Sequence, residues 1–111
     1  MRSRYYILDG HTPVPVDVIT WGQWFAVTER HVADDADEGT GVRVSTVFLG
    51  LDHSFRDTGG GGPPVLFETL VFADSHPEWD GRTERYATWN EALAGHRAVV
   101  AEIRAALGER A

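Results

Sequence analysis

Two apolar runs constrain this chain more than any other feature: Val42-Arg-Val-Ser-Thr-Val-Phe-Leu-Gly-Leu51 and Val65-Leu-Phe-Glu-Thr-Leu-Val-Phe-Ala73. Both are rich in Val, Phe, Leu and Thr and bounded by Gly or Pro, which is the composition of a pleated, well-buried strand. A polar segment ending in four glycines and two prolines joins them, so the pair reads as the centre of a sheet with an oversized connection. Alternation puts Val42, Val44, Thr46 and Phe48 on one face of the first run, and Val65, Phe67, Thr69 and Val71 on one face of the second. The opposite faces hold Val47, Leu49, Leu51, Leu66, Leu70 and Phe72, interrupted by Arg43, Ser45 and Glu68. A sheet buried on one side alternates more cleanly than that. The second face is therefore either covered by the chain's own helices or left open for a partner.

The flanks supply the remaining elements. Arg4-Tyr-Tyr-Ile-Leu8 reads as a strand, Asp9-Gly10 as a tight hairpin turn, and residues 11–16 as a returning strand. Pro13 and Pro15 remove N–H groups from one edge of that strand, which makes it an edge strand. Asp17 is placed to cap a helix over 18–28, with Val18, Trp21, Trp24 and Phe25 at helical spacing. Residues 31–34 form a short strand before an acidic turn over 35–41, and a further short strand falls near 83–87. Thr88-Trp-Asn-Glu91 has capping-box spacing and opens a last helix with one apolar stripe. The predicted fold is α+β: one domain spanning 1–111, with an antiparallel sheet of four to six strands and two helices packed mainly on one face.

At 111 residues the chain is long enough for a real core. It has no cysteine, so disulfides, thiolate metal sites and thiol nucleophiles are excluded. No apolar run is long enough for a membrane span and the N-terminus lacks a signal-peptide core, so a soluble protein of the bacterial cytoplasm is expected. All ten bases are arginine, and the net charge of -7 resides in two windows, 29–41 and 74–84. Such a field repels phosphate, so direct nucleic-acid binding is not expected. It suits a basic protein surface, with Asp34, Asp35, Asp37, Glu38, Asp74, Glu78 and Asp80 as the contact residues. Acidic turns that merely keep a small domain soluble have the same appearance.

No catalytic or cofactor motif of any specificity occurs, and no metal site is identified by spacing. The glycine run lacks the Gly-Lys-Ser/Thr of a phosphate loop. The alternative is a ligand- or metal-binding protein, or a hydrolase, with a site around Asp52, His53, Glu68 and His96. Asp52-His53 sits at a strand end, and His96 on the helix stripe could meet His53 or Glu68 as a two-His, one-carboxylate set. Trp21 and Trp24 could floor a groove, although core packing is the simpler role for both. The simpler role for His96 is a satisfied core histidine, and for Glu68 an ion pair with Arg43 or Arg85.

The stretches Arg4-Tyr-Tyr-Ile-Leu-Asp-Gly10, Pro13-Val-Pro-Val-Asp17, Val44-Ser-Thr-Val-Phe-Leu-Gly-Leu-Asp-His53, Pro64-Val-Leu-Phe-Glu-Thr-Leu-Val-Phe72 and Thr88-Trp-Asn-Glu-Ala92 together resemble a family of small, functionally uncharacterised proteins encoded by phages and prophages. The resemblance implies a non-enzymatic accessory protein that binds a host protein. Acidic members of that class include counter-defence inhibitors of the anti-CRISPR kind. It transfers no catalytic residue. Self-association through the incompletely polar sheet face or an open strand edge is a further expectation.

Overall fold

A computed structural model describes residues 4–53 and 63–108; the glycine-rich part of the predicted connection, 54–62, lies outside them. The two apolar runs form β4 (Val42–Phe48) and β5 (Phe67–Phe72), flanked by β3 (His31–Asp37) and β6 (Thr83–Tyr86) in a four-stranded antiparallel sheet of order β3-β4-β5-β6. The register opposes Val44 to Val71, Thr46 to Thr69 and Phe48 to Phe67, so the two buried sets expected from alternation share one face. Across that face runs α2 (Trp89–Ala106), started by the Thr88/Glu91 capping box. Val99 and Ile103 pack on Val42, Val44, Val71 and Ala73. Nearer its N-terminus, Ala92 packs with Phe48, Phe67, Leu66 and Tyr6. The apolar stripe of the helix therefore meets the even face of β4 and the odd face of β5, as hydrophobic burial requires.

A separate two-stranded sheet is made by β1 (Tyr5–Asp9) and β2 (Thr12–Val16), turning at Gly10 with a positive φ of 64°. The six strands thus divide between two sheets. The hairpin is tied to the residues after β4 by Tyr6 N–H donating to the Gly50 carbonyl at 2.8 Å and Asp52 N–H to the Arg4 carbonyl at 3.0 Å. Its helix, α1 (Val18–Val27), is capped by Asp17, which accepts from Thr20 N–H at 2.8 Å. α1 lies along β1, while Trp24 reaches Phe48 edge-on at 5.7 Å and Trp21 sits between Tyr5 and Phe25. Hairpin and α1 close one end of the main sheet. The β3–β4 turn, the β5–β6 connection and the C-terminus of α2 occupy the other.

One boundary differs from the sequence expectation. β3 continues to Asp37 instead of ending at Asp34, because Asp35 pairs with Val44 and Asp37 with Val42, leaving only 38–41 as the turn. The acids therefore line an edge strand, where charge also discourages further edge pairing. Gly22, between Trp21 and Trp24 on α1, is not a point of close approach, since a Cβ there would meet nothing within 4 Å.

Gly95 is. A methyl group built on it would overlap the hydroxyl end of the Tyr86 side chain, which rests against α2 at that turn. Gly95→Ala is expected to lower stability by about 1 to 3 kcal/mol through overpacking, despite a helix-propensity gain of about 1. A urea titration that found the variant more stable would show that Tyr86 does not rest on this turn.

Candidate functional site

His96 is 1 % exposed, and a buried histidine needs partners for both ring nitrogens. α2 projects it onto the sheet, where Nδ1 lies 2.7 Å from Thr46 Oγ1 and Nε2 lies 2.6 Å from Asp35 Oδ2. Thr46 Oγ1 is 2.5 Å from Thr69 Oγ1, and Tyr86 OH donates to Thr69 Oγ1 at 3.0 Å. One direction of donation satisfies every group: Tyr86 to Thr69, Thr69 to Thr46, Thr46 to Nδ1, and Nε2–H to Asp35. The chain crosses the sheet from β6 to β3. Burial raises the pKa of the Tyr86 hydroxyl, its largest influence, while the bond to Thr69 acts in the opposite sense.

Asp, His and a hydroxyl in sequence have the form of a nucleophilic triad, but the exposure is inverted. A triad buries its carboxylate and presents its hydroxyl to substrate. Here the Asp35 side chain is half exposed while Thr46 and Thr69 are fully buried. The network holds strands and helix together and offers no accessible nucleophile.

The residues grouped on sequence as a ligand site are not brought together. Asp52 is buried at the α1 end, where its carboxylate accepts from Val65 N–H at 3.0 Å and so fixes the approach to β5. His53, half-buried beside it, donates its backbone N–H to the Val65 carbonyl. Glu68 is on the opposite face of β5, in an ion pair with Arg85 at 3.0 Å. His96 is under the α2 face with Thr46 and Asp35. Trp21 and Trp24 pack against Tyr5, Phe25 and Phe48. Among the described residues no group of three His, Asp or Glu side chains is placed to hold a metal ion.

The acids are brought together. The β3–β4 turn and the β5–β6 connection meet where His76 Nε2 lies 3.2 Å from the Thr40 carbonyl, so the later part of the first acidic window and the start of the second share one end of the sheet, while Glu29 stands beside His31 at the other. Glu38, Asp74 and Glu78 are exposed there, and none of them pairs with an arginine among the described residues. The adjacent C-terminus of α2 adds the negative end of a helix dipole. Other acids of the two windows have structural duties. Asp34 binds Arg43 through both oxygens at 2.9 and 2.8 Å, which holds its carboxyl below the usual range. Asp35 accepts from His96, and Asp80 accepts from Ala73 N–H at 2.9 Å.

A cleft of about 300 Å³ opens at this same end, between α2 and the β3–β4 hairpin. Val42, Val44, Val100, Ile103 and Leu107 form its apolar lining, and Asp35, Asp37 and Thr40 its rim on the sheet side. Val42 and Val44 are buried in the core as sequence reasoning placed them and form the floor of the cleft, while Val100 and Leu107 are its partly buried wall. Sequence reasoning missed Thr46, Thr69 and Tyr86; the signal available was a threonine at a core-facing position in each central strand. At the opposite end, α1 turns Val18, Ile19 and Val27 to solvent, the last 84 % exposed.

Comparison with protein-family models, curated proteins and solved structures returned no match. Among the described residues no helix is long and apolar enough to cross a membrane.

Proposed function

We propose that this chain is a binding protein that engages an arginine- or lysine-rich protein surface with the acidic end of its main sheet. The observation that carries this is the meeting of the two acidic windows at the His76–Thr40 contact, with Glu38, Asp74 and Glu78 exposed and unpaired among the described residues. Opposed charge of this kind steers encounter and fixes orientation more than it adds affinity. The resemblance to phage and prophage proteins makes a host protein the partner, and a site that normally holds nucleic acid the natural target, as for a counter-defence inhibitor. The alternative, a ligand-binding protein or hydrolase built on Asp52, His53, Glu68 and His96, has no shared pocket among the described residues to support it.

Neutralising Asp37, Glu38, Asp74 and Glu78 to their amides is expected to slow association with a captured basic partner at least tenfold at low salt. Stability should change by less than about 0.5 kcal/mol, as for surface substitutions generally. Association kinetics at two salt concentrations test this, and a rate indifferent to both salt and the four amides would overturn the reading. Asp34 and Asp35 are unsuitable for the test because Arg43 and His96 depend on them.

Self-association is better supported at α1 than at the open sheet face, since three of the four large hydrophobic side chains exposed among the described residues are Val18, Ile19 and Val27. An uncharged helix face is also where copies of an acidic chain would repel least. Sedimentation should show a concentration-dependent dimer that Ile19→Glu abolishes; a strict monomer at high concentration would refute it.

A further inference from the structure

We propose that the cleft between α2 and the β3–β4 hairpin receives the side chain of a single arginine from the basic partner, a refinement that rests on the reading of the acidic end as a binding surface. The wall and the rim ask for different parts of one group. Val42, Val44, Val100, Ile103 and Leu107 offer an apolar surface suited to methylenes, and the long stems of basic side chains lie along such surfaces while the charged head reaches polar groups. Asp35 and Asp37 stand at alternate positions of β3 and point to the same side of the sheet, with Cα atoms roughly 7 Å apart.

Each of these carboxylates spends one oxygen on the protein and keeps the other. Asp35 Oδ2 takes the His96 Nε2–H and Asp37 Oδ1 the Gly39 N–H at 2.8 Å. The remaining acceptors belong to two different side chains. A guanidinium carries donors along two edges of a plane and can serve both, whereas an ammonium is a compact point donor. Arg104 and Leu107 line the α2 bank. The volume of about 300 Å³ is at the small end of ligand sites, which fits one side chain and adjoining main chain better than a large cofactor.

Three small probes separate the two requirements. n-Butylguanidinium carries stem and head, guanidinium ion the head alone, and n-butylurea the stem with a neutral head of the same shape. In an NMR titration of the isotopically labelled full chain, n-butylguanidinium should give saturable amide shifts clustered at Thr40, Val44, Val100 and Ile103. The other two probes should bind at least tenfold more weakly, and Asp37→Asn should weaken n-butylguanidinium by a similar factor. Asp37 is exposed and outside the His96 network, so this variant keeps the fold, which its unperturbed remaining spectrum would verify. Equal response to all three probes, or indifference to Asp37→Asn, would overturn the proposal. An oligoarginine peptide distinguishes the two levels: salt-sensitive binding of the peptide with an unresponsive cleft discards the arginine pocket and retains the acidic end, while loss of both discards both.

Discussion

Phe67→Ala is expected to destabilise the protein by about 3 to 5 kcal/mol, the largest effect of any single truncation among the described residues. Phe67 is fully buried at the start of β5, 5.3 Å from the Phe48 ring and 6.3 Å from that of Trp89, which meets it edge-on. Those contacts join the two halves of the molecule, because the same cluster contains Tyr6 from the hairpin, with Trp24 of α1 packed against it. A cavity here removes the common support of β1, α1, the main sheet and α2, and neighbours fixed by the β4–β5 ladder have little freedom to fill it. For a domain whose total stability is on the order of 5 to 15 kcal/mol, much of the margin disappears. Phe72→Ala is the control: it lies on the same strand but is 45 % exposed on the opposite face, and should cost under about 1 kcal/mol. Urea midpoints that were the same for the two variants would refute the assignment of faces.

His96→Leu is expected to cost about 2 to 4 kcal/mol, and the cost should fall when Thr46→Val, Thr69→Val and Tyr86→Phe are added. The physical reason is the asymmetry of buried hydrogen bonds. Removing one partner leaves the others desolvated and unsatisfied, at about 1 to 3 kcal/mol for a group, whereas replacing all partners with apolar groups of similar shape comes close to neutral. With leucine at 96, the Thr46 hydroxyl loses its acceptor at full burial and Asp35 loses the imidazole. Valine at both threonines, with Tyr86→Phe because the Tyr86 hydroxyl would otherwise lose Thr69 as its acceptor, removes the stranded donors and leaves an apolar layer continuous with Val44, Val71 and Val99. Strict additivity across the cycle would show that the chain from Tyr86 to Asp35 does not act as one network. Alkali gives a second readout. The Tyr86 pKa is raised on folding, so its contribution is complete below the unfolded value of about 10 and is lost as pH rises through the folded value. Tyr86→Phe should abolish that alkaline loss.

Much of the fold was legible because its signals are local. The alternation in 42–48 and 67–72 fixed which residues face the core, and the Asp17 and Thr88 caps fixed where both helices begin. Asp9-Gly10 fixed the hairpin, and the identity of Glu68 as a lone acid in an apolar strand pointed to Arg43 or Arg85, between which the register selects Arg85. Local signals fail where a neighbour supplies the stabilisation: the acidic run 35–37 has poor strand propensity by itself, and only pairing with β4 makes it a strand. By sequence alone, then, the class of the fold, its central pair and the location of its charge along the chain were determined, since each depends on residue type at fixed spacing. Only the tertiary structure decided that Asp52, His53, Glu68 and His96 stand apart, that His96 closes a buried polar chain with Asp35, and that the two acidic windows meet beside an apolar cleft. Those relations join residues up to 61 positions apart, and they follow from strand order and helix placement, which no periodicity within a single element encodes.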